Sequence, residues 1–225
     1  MKSTWDSEIR AMVRKELQCE FRNRSGLYSG LLLSLTTVFV MSFAFYGRTL
    51  TGEGAAGMLW AALLFAGVGS LNRAFVAEDE NGTGDLLRLW ARPYSVYWGK
   101  MIFAFLVMTV TAFLVTLLFV VTSSLDVKSP LLLVTSLVGG CGCLAEIVTL
   151  SSAIVSRGNS RSALAGVVAL PQLIPLVALG AGATRAAFGV GDLGNGFFTC
   201  VGIWAYTLLV VSLGPHVFAA IWKDS

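Results

Sequence analysis

Few side chains in this sequence have the type and spacing that chemistry needs. The run Gly139-Gly140-Cys141-Gly142-Cys143 sets two thiols two residues apart, which invites a metal or haem reading. On a regular helix, residues two apart point about 200° from one another, so these thiols cannot chelate jointly. Small residues that let helices approach closely explain the run better, and Gly166, Gly180 and Gly182 read the same way. Glu146 is the one carboxylate well inside an apolar stretch. A charge there marks either a polar point on a substrate or proton route or a carboxyl that joins two helices, and the joining reading is favoured. No HExxH, GxSxG or Cys/His cluster of ligand spacing occurs, and the single histidine is His216. The only Gly-Lys pair is Gly99-Lys100, with Tyr94 where a phosphate loop needs its first glycine. The chain is therefore expected to be non-catalytic, and any pumping must draw on ATP hydrolysed by another subunit.

The elements that would carry these residues are membrane helices. The chain has 225 residues, 56% of them apolar and only 13% charged, with a mean hydropathy of +0.75. A soluble domain is about a quarter charged, and a disordered chain is poor in apolar residues. A net charge of +3 gives no sign of nucleic-acid binding, and four scattered cysteines form no disulfide framework. Six apolar stretches run over Leu27–Phe45, Ala55–Phe75, Tyr97–Val121, Leu131–Val155, Leu164–Ala183 and Phe197–Trp222. Each reaches the length of a spanning helix, about 20 residues. Threading these six spans puts all but three of the 16 basic residues, Arg48, Lys128 and Arg185, on one side, which predicts cytoplasmic termini. The charged segment 1–26 ahead of the first span argues against a secretory signal.

Two segments are expected to lie on the membrane. Trp5, Ile9, Met12, Val13, Leu17 and Phe21 recur every three or four residues, with Arg10, Arg14, Lys15 and Arg22 largely between them. That pattern predicts an amphipathic helix in the headgroup plane. The second segment is the connection Val76–Trp98. It passes Glu78, Asp79 and Glu80 and a Gly82/Gly84 turn, then reads Asp85-Leu86-Leu87-Arg88-Leu89-Trp90 before Arg92-Pro93. Asp85 can cap a short helix that Pro93 ends. Its leucines and tryptophan need burial against lipid or a cytoplasmic partner. Arg73, one turn from Glu78 and Glu80, either makes a local ion pair or fixes this loop. Pro171 and Pro175 share a face of the fifth span and predict a kinked or broken helix, a feature of packing or of a pathway.

The stretch Trp60–Phe65, Leu71-Asn72-Arg73 through Glu80, Leu86-Leu87, Pro93 and Gly99-Lys100, with Leu170-Pro171 and Pro175, resembles the CcmB family. These are the haem exporter B permeases of cytochrome c maturation. The likeness covers nearly the whole chain and departs at Leu89-Trp90-Ala91-Arg92, where the family is more uniformly aliphatic. It implies an all-α, ABC-2-type permease of six transmembrane helices in a bacterial inner membrane. Residues 1–26 would form an elbow helix and tail and 27–225 the permease domain, with 76–98 as its cytoplasmic coupling loop. Arg73, Glu78, Asp79, Glu80, Asp85, Leu86, Leu87 and Arg88 would meet a separate ATPase. Further implied partners are a multi-span haem-handling subunit, a small single-span subunit and, indirectly, a periplasmic haem chaperone. A two-ATPase engine suggests a homodimer within the complex. Haem would be cargo and ATP would act only through the partner. His216 is the weak candidate for a haem ligand, with Met41, Met108 and the cysteines behind it and no obvious pair. The alternatives are an ABC-2 permease for a lipid or drug, a proton-coupled carrier using Glu146 and, last, a membrane enzyme.

Overall fold

Proline sets two of the helix starts. Arg92, held extended at φ −75° and ψ 139° by the proline that follows, gives way to a 31-residue helix from Pro93 to Ser123. That helix ends at Ser124, a left-handed residue whose N–H bonds the Val120 carbonyl, and Pro130 then opens the next one. A computed structural model of the chain describes residues 5–22, 25–45, 50–71, 82, 87, 89, 91–155 and 161–223. Seven helices lie among them: α1 Trp5–Arg22, α2 Ser25–Ala44, α3 Gly52–Leu71, α4 Pro93–Ser123, α5 Pro130–Val155, α6 Arg161–Ala187 and α7 Leu193–Lys223. α2 to α7 overlie the six apolar stretches one for one.

α5 is the axis of the bundle. It packs on α4, α6 and α7, while α3 fills the space between α2 and α6. The connections 124–129 and 188–192 and the start of α3 gather at one end. There the amides of Lys128 and Ser129 both donate to the Ala187 carbonyl, at 2.9 and 3.1 Å, and Arg185 lies 3.4 Å from Glu53. At the opposite end, here called the base, α1 meets the start of α4 and the end of α7. α1 and the C-terminal helix thus share one end, as an even number of traverses requires.

The side chains facing outward are largely apolar. Phe43 on α2, Val110 and Leu117 on α4 and Phe198 and Leu208 on α7 are all exposed. Three helical stretches are long and apolar enough to cross a membrane among the described residues: Pro93–Ser123, Pro130–Ile154 and Leu193–Ala220. The chain is an all-helical membrane protein. α4 is longer than a hydrocarbon core requires, about 46 Å against about 30 Å, which leaves its first turns free to carry polar residues.

Trp60 of α3 locks the interior. Its indole lies between Gly140 of α5 and Gly180 of α6, where a Cβ on either glycine would collide with the ring. The indole N–H donates to Thr184 Oγ1 at 2.9 Å. The glycine run therefore serves close packing, and Gly139 extends it by accepting from Thr207 of α7 through its carbonyl at 2.9 Å. Of the kinked or broken helix expected in α6, the break is absent, because the helix runs straight through Pro171 and Pro175 in sequence. Pro175 has no N–H to offer the Pro171 carbonyl. One residue on, the Gln172 carbonyl accepts from Tyr206 of α7 at 2.9 Å, so the weakened turn is tied to its neighbour. Trp60→Ala is expected to remove about 3–5 kcal/mol. Thermal unfolding in detergent should show Tm falling for it, and for Gly140→Val, while Phe43→Ala on the outer surface leaves Tm nearly unchanged.

Candidate coupling base and buried polar centre

The base is built around α1. Amphipathic spacing predicts a helix from Trp5 with its apolar residues in the headgroup plane, and the helix is there. Met12 and Glu16 are buried, whereas Trp5, Leu17 and Phe21 remain exposed and Ile9 and Val13 half-exposed. The reason lies on α4. Gly99 has no side chain where Met12 packs, and Glu16 Oε1 accepts from Lys100 Nζ at 2.8 Å. Glu8 accepts from Ser95 Oγ at 2.8 Å and lies 3.8 Å from Arg92 Nε. Gly99-Lys100, singled out on sequence alone, is thus where α1 seats. The carboxylates that make the polar contacts, Glu8 and Glu16, are not marked by the spacing of α1.

Of the coupling residues, Arg73, Glu78, Asp79, Glu80, Asp85, Leu86 and Arg88 lie outside the described residues. Leu87 is described. It is half-buried against the cluster of Met12, Val96, Tyr97, Met101 and Phe218. Its carbonyl accepts from the Ala91 N–H at 2.9 Å, a helical bond that closes just before Pro93. Leu89 points the other way and is 80% exposed. Residue spacing already separates the two, since positions two apart on a helix face apart.

Deeper in the bundle, Glu146 of α5 is fully buried, and its Oε1 accepts from the Tyr97 hydroxyl of α4 at 2.8 Å. Gly214 of α7 lies against both groups, where any Cβ would collide with them. Oε2 has no hydrogen-bond partner among the described residues. The arrangement joins three helices at one carboxyl. Cys141 and Cys143 are both buried, and the Cys141 thiol lies 3.7 Å from the Met108 carbonyl. His216 is elsewhere, edge-on to Tyr94 at 6.1 Å. Its Nδ1 lies 3.0 Å from the Ser212 carbonyl, an acceptor only, so Nδ1 carries the proton and Nε2 is the ring's open position. Met108 is about 21 Å along α4 from Tyr94, so the structure does not bring it to His216 as an axial pair. Pro171 is exposed and Pro175 half-buried, and neither lies in the Glu146 contacts. Tyr97→Phe is expected to cost about 1–3 kcal/mol, because a buried acceptor loses its donor. Gly214→Ala, which separates α7 from the pair, should lower Tm in detergent by at least as much.

Comparison with known proteins agrees with this architecture. The family model described as CcmB protein matches residues 7–223. Heme exporter protein B of Bradyrhizobium diazoefficiens is 26% identical over 215 residues, covering 94% of this chain and 96% of that protein. Heme exporter protein B of Rhodobacter capsulatus is 27% identical over 179 residues, covering 79% of this chain and 82% of its own length. With its helices, the α1 seat on Gly99-Lys100 and nearly its whole length inside the match, the chain belongs to the CcmB protein family.

Proposed function

We propose that this chain is the membrane permease subunit of a haem exporter ABC transporter that serves cytochrome c maturation. The observation that carries this reading is the family match over residues 7–223, joined to a helical bundle whose sequence has no nucleotide-binding loop. The two relatives are named heme exporter protein B, and both align over most of their length. The subunit is non-catalytic. Haem is its cargo and ATP acts only through a separate cytoplasmic ATPase.

In this reading α2 to α7 are six spans in an ABC-2-type bundle in the bacterial inner membrane, with both termini and the base in the cytoplasm. Residues 27–225 form the permease domain, and 1–26 hold the elbow helix. Residues 76–98 receive the ATPase, with Leu89 as the docking side chain and Leu87 anchoring the loop to the bundle. Arg73, Glu78, Asp79, Glu80, Asp85, Leu86 and Arg88 complete that contact. A multi-span haem-handling subunit and a small single-span subunit complete the membrane complex, and a periplasmic haem chaperone is served through them. Two ATPases act on two membrane bundles, and the mass of the intact complex reports whether this chain supplies both. Glu146 joins α4, α5 and α7 through Tyr97 and Gly214, and the turn weakened by Pro171 and Pro175 is held by the Tyr206 bond to Gln172.

The test is a deletion strain complemented with variants, with c-type cytochromes scored by covalent haem stain and the ATPase by co-purification. Leu89→Asp is expected to lose the ATPase and most c-type cytochrome while the subunit still inserts. Leu87→Asp should lower the yield of the subunit itself. Normal c-type cytochromes in the strain lacking this chain would overturn the assignment.

A further inference from the structure

Lys100 is an unusual residue to find at a helix–helix contact. Its side chain is 1% exposed, and that of Glu16 is 11% exposed. Removing either member of such a pair strands a charge, whereas replacing both with apolar residues of similar volume is close to neutral for stability. Stability alone does not call for a charged pair here. What the pair adds is a fixed geometry between α1 and α4.

Two other contacts hold the same register. Glu8 meets Ser95 and Arg92, and Met12 fills the space over Gly99. The partners rise together in number, from Glu8 with Arg92 to Glu16 with Lys100, so α1 runs in the same sense as the first turns of α4. Arg92 is the residue through which the 76–98 loop enters α4. Glu8 therefore ties α1 to the loop's exit, and Glu16 ties it again about two turns further along α1. The loop's end, α1 and the root of α4 make one braced unit.

We propose that α1 and the first two turns of α4 move as a single rigid body through the transport cycle, with Glu16 and Lys100 as the positioning pair that passes a push on the loop into the bundle. This rests on the permease reading above. Without the pair, the loop still binds the ATPase, but its displacement is absorbed at the α1–α4 contact.

The experiment uses the full complex, with Cys19→Ser and the double variant Glu16→Cys/Lys100→Cys in this chain, before and after bridging with a short bifunctional thiol reagent. ATP hydrolysis, co-purification of the ATPase and ATP-dependent release of the haem-loaded chaperone are measured together. The unbridged variant is expected to keep the ATPase and hydrolyse ATP within about twofold of wild type, while release falls about tenfold or more. Bridging should restore most of that release. Two outcomes overturn the proposal: wild-type release without the bridge, or a bridged complex that stays inactive, since α1 would then have to leave α4. If the cysteine pair does not assemble, Glu16→Leu/Lys100→Met decides, with wild-type release against the proposal and hydrolysis without release in its favour. A wild-type complex that releases nothing in response to ATP would instead fail the permease reading itself.

Discussion

Lipid tails offer a helix no hydrogen bonds and little hydrophobic reason to leave them for another helix, so a membrane bundle must hold together by close packing and by polar groups that answer one another. This bundle follows that constraint at four contacts in its interior. The Trp60 indole finds Thr184, Thr207 finds the Gly139 carbonyl, Tyr206 finds the Gln172 carbonyl, and Tyr97 finds Glu146. Each bond runs between different helices, and glycines stand beside three of the four. Glycine brings the backbones near enough for short side chains to reach across.

Much of the architecture was legible in the sequence, because hydropathy and proline act locally. The six apolar stretches each became one helix, although α4 begins at Pro93, four residues ahead of the stretch read from Tyr97. The amphipathic helix at Trp5–Arg22 was visible in its spacing. Its seat was not, because Glu16 and Lys100 are 84 positions apart and a carboxylate among basic residues reads as solvated. The same limit hid the partner of Glu146, which lies 49 positions away on α4. Pro171 and Pro175 leave α6 unbroken for a related reason: proline weakens its own turn, and a neighbouring helix supplies the compensating bond. Of the site, Gly99-Lys100, Leu87 and Leu89 stand out in the sequence, while Glu8 and Glu16 needed the fold.

The base and the interior divide the work between them. Trp60 and the three-helix carboxyl make α3 to α7 resist internal rearrangement, so movement within the bundle is costly. The base has the opposite character, with charged residues at the surface, an exposed Leu89 and contacts that join a loop to two helices. A force applied there meets a stiff body and not a soft one. That stiffness suits the permease role proposed above.

The end away from the base carries a different consequence. A carbonyl has two lone pairs, and both of those on Ala187 are engaged by successive amides of the α4–α5 connection. The tip of α6 is thereby sewn to a neighbouring hairpin, and lengthening either segment would tear out a stitch. Insertions that might grow into a reaching arm are disfavoured at this seam. Where α6 meets the α4–α5 connection, a visiting molecule therefore finds a low, hemmed border with nothing to close around it.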